Sequence, residues 1–157
     1  MDGEAPVDWQ SAVTPVRDGE WAGWWSFGGL DPFENLIGPF YFRRDGDGVA
    51  RCAFRAEKKH MNGAGFMHGG CLMSFADFAL FVIASPELTD QRAVTATFNA
   101  EFVGAVREGE RLEGAGEIVK AGRSLVFVRG LIRTDAGVAM SFSGTLKKTG
   151  PRASSGA

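Results

Sequence analysis

Apolar and polar positions change their rhythm several times along this chain. Residues 1–30 show no regular period: Trp9, Trp21, Trp24 and Trp25 are scattered among glycines and charges. This leader is expected to form loop and short helix packed on the body. Its tryptophans then either cover a surface groove or form an interaction surface or pocket lid. At Asp31-Pro32 a helix is expected to start, since Pro at the first helical position has no amide to satisfy. That helix is predicted over 32–37 and ends at Gly38. Two short strands, 40–44 and 49–56, flank Asp45-Gly46-Asp47-Gly48, a strong turn composition. Residues 57–70 are polar and glycine-rich and read as a loop. From Gly70 to about Ser85 the pattern is helical, and Pro86 stops it. Four longer strands follow, at 93–103, 111–120, 124–134 and 138–147. Their links, Arg107-Glu108-Gly109-Glu110, Ala121-Gly122-Arg123 and Asp135-Ala136-Gly137, are too short for parallel crossovers and join antiparallel neighbours. The tail 148–157, rich in Ser, Gly and Ala, is expected to be disordered.

The plan is β-β-α-β-β-β-β, an α+β domain over 31–147 with a Trp-rich extension before it. The central helix is apolar on nearly all faces, so nearly all faces must be buried. A curved antiparallel sheet wrapped around that helix, the hotdog fold, achieves this. Pattern alone also permits other α+β sheets packed on a helix.

Composition narrows the function. A chain of 157 residues, 45% apolar and 23% charged, is sized and balanced for one soluble domain. Its net charge of −2 offers no general attraction to nucleic acid or an anionic membrane, so a phosphate-bearing ligand needs a local basic patch. Cys52 and Cys71 lie in apolar runs without a CxxC motif, which predicts reduced, buried thiols and a cytoplasmic protein. The acidic N-terminus has no apolar core of a signal peptide. The longest apolar segment, 71–84, is interrupted by Ser74 and Asp77 and falls short of the roughly 20 residues of a membrane span. No metal-ligand spacing is present, and no G-x-S-x-G elbow.

Asp77 is the informative anomaly. Its helical neighbours are Phe75, Ala76, Phe78, Ala79, Leu80, Phe81 and Val82. A buried, unpaired carboxylate costs several kcal/mol or takes up a proton. Either Asp77 turns outward or bonds Ser74, or the charge has a use. The preceding loop favours a use. It ends in Phe66-Met67-His68-Gly69-Gly70, where the helix begins. Amides of Gly69 and Gly70 lack intrahelical partners there and can cradle an oxyanion at the positive helix end. Asp77 lies two turns further on, too far for one compact site unless a second subunit supplies the opposing half.

Asn62, the run His68-Gly69-Gly70 and the pair Ala76-Asp77 together resemble the signature of the phenylacetic-acid-degradation (PaaI-like) hotdog thioesterases. The resemblance spans about 32–147 and implies an acyl-CoA thioester hydrolase. It implies a homodimer through a continuous sheet, usually paired into a tetramer, with sites at the dimer interface. Asp77 then corresponds to the nucleophile or general base, and Asn62 to the group that orients water or substrate. The Gly69 amide polarises the thioester carbonyl, and His68 shapes the loop and helix start. Thr95, where some relatives have Ser, supports the water. Asp77 and Thr95 come from the subunit opposite Asn62, His68 and Gly69. Gly70, Phe66 and Met67 are expected to contact substrate or line the core. The turn Gly122-Arg123-Ser124 resembles one placed near the CoA phosphates, although a basic hairpin tip is also simply solvated. No cofactor is implied beyond the coenzyme A of the substrate; the helix and leader point to an apolar or aromatic pocket, with aryl- or medium-chain acyl-CoA as candidate substrates and the acyl group left open.

Two residues keep a second reading: Asn62 as a turn residue in left-handed geometry, and His68 as a loop-fixing hydrogen bonder. His60 has no motif partner and is expected to be a solvated loop residue. Competing functions are a hydroxyacyl dehydratase on the same fold and a non-catalytic acyl-CoA-binding module. The first needs a His base paired with an acid, and the second needs no carboxylate.

Overall fold

The computed structural model describes residues 13–28 and 31–151. In chain order the elements are β1 (Val13–Pro15), β2 (Trp25–Phe27), α1 (Pro32–Ile37), β3 (Tyr41–Arg44), β4 (Ala50–Arg55), α2 (Gly69–Ala84), β5 (Gln91–Phe102), β6 (Arg111–Ala121), β7 (Leu125–Thr134) and β8 (Gly137–Pro151). The strands form one antiparallel sheet in the order β1-β2-β3-β4-β6-β7-β8-β5. Short hairpins place β6, β7 and β8 side by side. The strand after α2, β5, crosses to the far edge and, among the described residues, pairs only with β8.

The sheet curls around α2. Phe75, Ala76, Ala79, Leu80 and Val82 of the helix are buried against Phe54, Leu112, Val126, Ile132, Met140 and Leu146 of the strands. Only together with the 3-10 turn that follows it, over Gly69–Glu87, does the helix reach the length and apolarity of a membrane span, and its burial inside the sheet accounts for that apolarity. Close approach depends on a missing side chain at Gly144. A Cβ there would stand 2.4 Å from Leu80 Cδ1 and 2.9 Å from the Thr97 carbonyl oxygen. Glycine lets the sheet backbone press on the helix at this point.

The leader differs from the predicted loop and short helix. Residues 13–28 contribute two strands that extend the sheet beyond β3, with a 3-10 turn at Gly19–Trp21 between them. Trp24 is buried under the Arg43 guanidinium, 4.5 Å above its ring. Trp21 stacks on Tyr41 at 4.6 Å and carries Arg111 at 4.7 Å. Glu20 pairs with Arg55 and Arg111. These rings cover the body. Trp9 lies outside the described residues. At the other end β8 runs to Pro151, so Lys148 to Pro151 belong to the sheet and not to a disordered tail. Pro151, Gly150 and Lys148 pair with Gln91, Arg92 and Ala93 at the start of β5. The rest of the predicted tail lies outside the described residues.

Candidate active site

The loop before α2 is tied to α1 at its start. His60 is 3% exposed, contrary to the solvated role expected for it. Its Nδ1 accepts from the Glu57 amide at 2.9 Å, which leaves Nε2 to donate to the Ile37 carbonyl at 2.6 Å. Lys59 Nζ donates to the Gly38 carbonyl at 2.7 Å. Both carbonyls stand at the end of α1, where a helix leaves acceptors unmet. Beyond His60 the chain folds back on itself. Met61 bridges Met67, and the Asn62 amide donates to the Phe66 carbonyl at 2.6 Å. Asn62 Oδ1 accepts from the amides of Ala64 and Phe66 at 2.9 and 3.2 Å. The left-handed residue is Gly65, at φ +81°, and Asn62 keeps a negative φ. Asn62 therefore builds the loop through its oxygen. Its Nδ2 makes no hydrogen bond among the described residues.

His68 caps α2. Its Nδ1 accepts from the Gly70 amide at 2.9 Å, and its carbonyl accepts from Cys71 and Leu72. The amides of Met67 and His68 donate to Val106 and His60 carbonyls. Among the described residues, this leaves the Gly69 N–H without a partner at the positive end of the helix. Gly70, expected to help bind substrate, has its amide occupied by the histidine cap. A Cβ on Gly69 would stand 3.1 Å from the Phe102 ring of β5, so the bare glycine keeps the amide accessible beside that ring.

Asp77 lies eight residues further along α2, about 12 Å by helical rise. It is half-buried, and Thr95 Oγ1 on β5 donates to its Oδ1 at 2.6 Å. The Ser74 hydroxyl instead donates to the Gly70 carbonyl at 2.7 Å, so Asp77 is not a partner of Ser74. Burial pushes the Asp77 carboxyl above the ordinary aspartate range. The Thr95 hydrogen bond opposes that rise, and Asp31 adds to it. The carboxyl opens on a cavity of about 340 Å³ lined by Asp31, Phe33, Glu34, Met73, Ser74, Asp77 and Phe98. One chain thus holds two separate clusters: Asp77 with Thr95, and the loop of Asn62, His68 and Gly69.

The remaining expected contacts lie elsewhere. Met67 is 5% exposed and part of the core. Phe66 is half-buried, with the Arg107 guanidinium 4.8 Å from its ring. Neither lines the Asp77 cavity. Gly122, Arg123 and Ser124 form the exposed β6–β7 turn, closed by the Gly122 amide on the Leu125 carbonyl at 2.8 Å. Lys148, assigned from sequence to the tail, belongs to this turn: its amide bonds Ser124 and its Nζ donates to the Gly122 carbonyl at 3.2 Å. Sequence reasoning missed Asp31, Phe33, Glu34, Met73 and Phe98. Asp31 was read from sequence only as part of a helix start, and it does cap α1 through the amides of Phe33 and Glu34.

The match to known proteins follows the same region. A family model described as Thioesterase superfamily matches residues 64–141, from the loop before α2 into β8. The candidate esterase PA0474 of Pseudomonas aeruginosa is 32% identical over 114 residues, 72% of this chain and 85% of that protein. The chain belongs to the thioesterase superfamily. It is a thioester hydrolase with a hotdog fold. The PaaI protein of the Escherichia coli phenylacetic acid degradation operon superposes with a TM-score of 0.67 at 20% identity, over 78% of this chain and 87% of that one. A hypothetical thioesterase of Streptococcus pneumoniae, solved with coenzyme A, superposes with a TM-score of 0.63 at 22% identity, over 73% and 88% of the two chains. Within this thioesterase the family match includes His68, Gly69, Asp77 and Thr95. It leaves out α1 and Asn62.

Proposed function

We propose that this thioesterase hydrolyses acyl-CoA thioesters, with Asp77 as the nucleophile or general base. The observation that carries the reading is Asp77 itself: a half-buried carboxylate, one oxygen held by Thr95, facing a cavity walled by Phe33, Met73 and Phe98. Those apolar walls suit an aryl or medium-chain acyl group. The unpartnered Gly69 amide of a second copy supplies the donor for the carbonyl oxygen, where charge develops in the transition state. A second copy pairs along β5, whose outer edge has no partner strand among the described residues and whose Val94 and Phe102 are exposed. Arg123 at the exposed β6–β7 turn is the cation offered to the CoA phosphates. Coenzyme A in the Streptococcus pneumoniae neighbour supports that substrate class. A dehydratase is disfavoured because His68 Nδ1 is engaged as the cap of α2. The test is a panel of acyl-CoAs, aryl and straight-chain, with released thiol detected by a chromogenic reagent. Turnover of aryl or medium-chain members is expected, and no release from any member sinks the reading.

Thr95 sets the acid side of the pH profile. Asp77 must be ionised to act, so activity is lost as pH falls through its raised pKa. The Thr95 hydrogen bond works to lower that pKa. A hydrogen bond to a charged group contributes about 1.5–3 kcal/mol, and one pKa unit corresponds to about 1.4 kcal/mol. Thr95→Val is therefore expected to move the acidic limb of kcat/KM upward by about one to two pH units. An unmoved limb would separate Thr95 from the ionisation of Asp77.

A further inference from the structure

Asp77 shares its cavity with two other carboxyl groups, Asp31 and Glu34, and among the described residues no Lys, Arg or His lines it. The two newcomers are not equivalent. Asp31 is exposed and spends Oδ1 on the amides that begin α1. Glu34 is half-buried, and its carboxyl makes no hydrogen bond or ion pair among the described residues. Glu34 also borders a second, smaller cavity of about 130 Å³, beside Ser26, Phe27 and Asn35. It therefore stands between the Asp77 cavity and a separate opening.

Among the described residues, the groups packed around Glu34 offer it no positive charge. From α1 it meets Asp31, from α2 Asp77, from β4 the Cys52 thiol, and from β2 only Ser26 and Phe27. On the adjoining turn, Lys59 Nζ and His60 Nε2 donate to the carbonyls of Gly38 and Ile37 and not to Glu34. Carboxyl groups crowded without a cation cannot all ionise, so one keeps its proton. Burial, then Asp31 and Asp77, push Glu34 up to about 7. Asp77 has the Thr95 hydroxyl to favour its charged form, and Glu34 has no such donor. The two environments divide the labour of an acid and a base.

We propose that Glu34 is a further catalytic residue, the proton-holding acid that complements Asp77 as base. This rests on the acyl-CoA reading above. In the hydrolytic step Asp77 takes one proton from water, and the water oxygen forms its bond to the thioester carbon. The C–S bond then breaks with its electron pair on sulfur, and the Glu34 proton makes the departing thiol. The proton on Asp77 passes back to Glu34, which restores both groups, and the carboxylic acid product is released.

The test is Glu34→Gln, assayed from pH 5 to 9 with phenylacetyl-CoA and hexanoyl-CoA, beside wild type and Asp77→Asn. An acid must be protonated, so wild-type kcat declines as pH rises through the Glu34 pKa near neutrality. In Glu34→Gln that alkaline limb should vanish, and kcat on the acid side should fall about 10²-fold with little change in KM, as for loss of a general acid. A merely structural Glu34 would leave the limb in place. A Glu34→Gln profile that overlays wild type, or a uniform loss with the limb retained, overturns the proposal. Asp77→Asn separates this from the broader reading. If it is inactive while Glu34→Gln overlays wild type, only the acid assignment fails. If it turns over like wild type, the Asp77 mechanism fails and the acid with it.

Discussion

Mixing two inactive variants, Asn62→Ala and Asp77→Ala, is expected to restore activity once their subunits exchange. Asp77 and Gly69 of one chain are eight residues apart on α2, about 12 Å by helical rise, which is too far for one group to attack a carbonyl held by the other. A two-fold axis through the bare β5 edge would bring the Asp77 of one copy to the loop of the other. Each substitution removes one half. Asp77→Ala deletes the carboxylate. Asn62→Ala deletes the oxygen that closes the loop onto the Ala64 and Phe66 amides, and with it the order of the segment that carries His68 and Gly69. A mixed dimer then has one doubly damaged site and one intact site, so activity should return toward roughly half of wild type per mixed dimer by symmetry. Native mass spectrometry reports the exchange. Exchange without returning activity would place the whole site within one chain.

The body of the fold was legible because its signals are long. The helix found at Gly69–Ala84 was predicted from Gly70 to about Ser85, and the four long strands depart from their predicted bounds mostly by one or two residues. The leader strands were not legible. Each has three residues, too few to show alternation, and each depends on pairing with β3 and its neighbour for its shape. The last turns of β8 were hidden by a glycine- and serine-rich composition that strand pairing overrides.

The site divided in the same way. Asp77 stood out because a carboxylate in an apolar helix needs a reason; Thr95 was named from the family resemblance as a support for the water, and its hydrogen bond to Asp77 came from the structure. Asn62 was legible as a loop residue, but its left-handed geometry belongs to Gly65. His60 was misread because its partners are main-chain groups, one of them 23 residues away in sequence. Glu34 was invisible for a related reason. A glutamate in a first helical turn is ordinary, and only the tertiary placement of α1 over the middle of α2 gives it Asp77 as a neighbour. The amides of Gly69 and Gly70 looked alike in sequence. The His68 ring, bent back onto Gly70, separates them.

Asp77→Asn tests the central claim most directly, read as the rate of thiol release from an acyl-CoA that wild type hydrolyses. The substitution keeps the size of the side chain and an oxygen that can still accept from Thr95, so folding should survive; a thermal melt checks this. It removes the charge. Loss of a positioned base or nucleophile lowers turnover by about 10²-fold or more. The predicted result is a folded protein whose kcat has fallen by at least that factor. A folded Asp77→Asn protein that releases thiol at the wild-type rate would contradict the account.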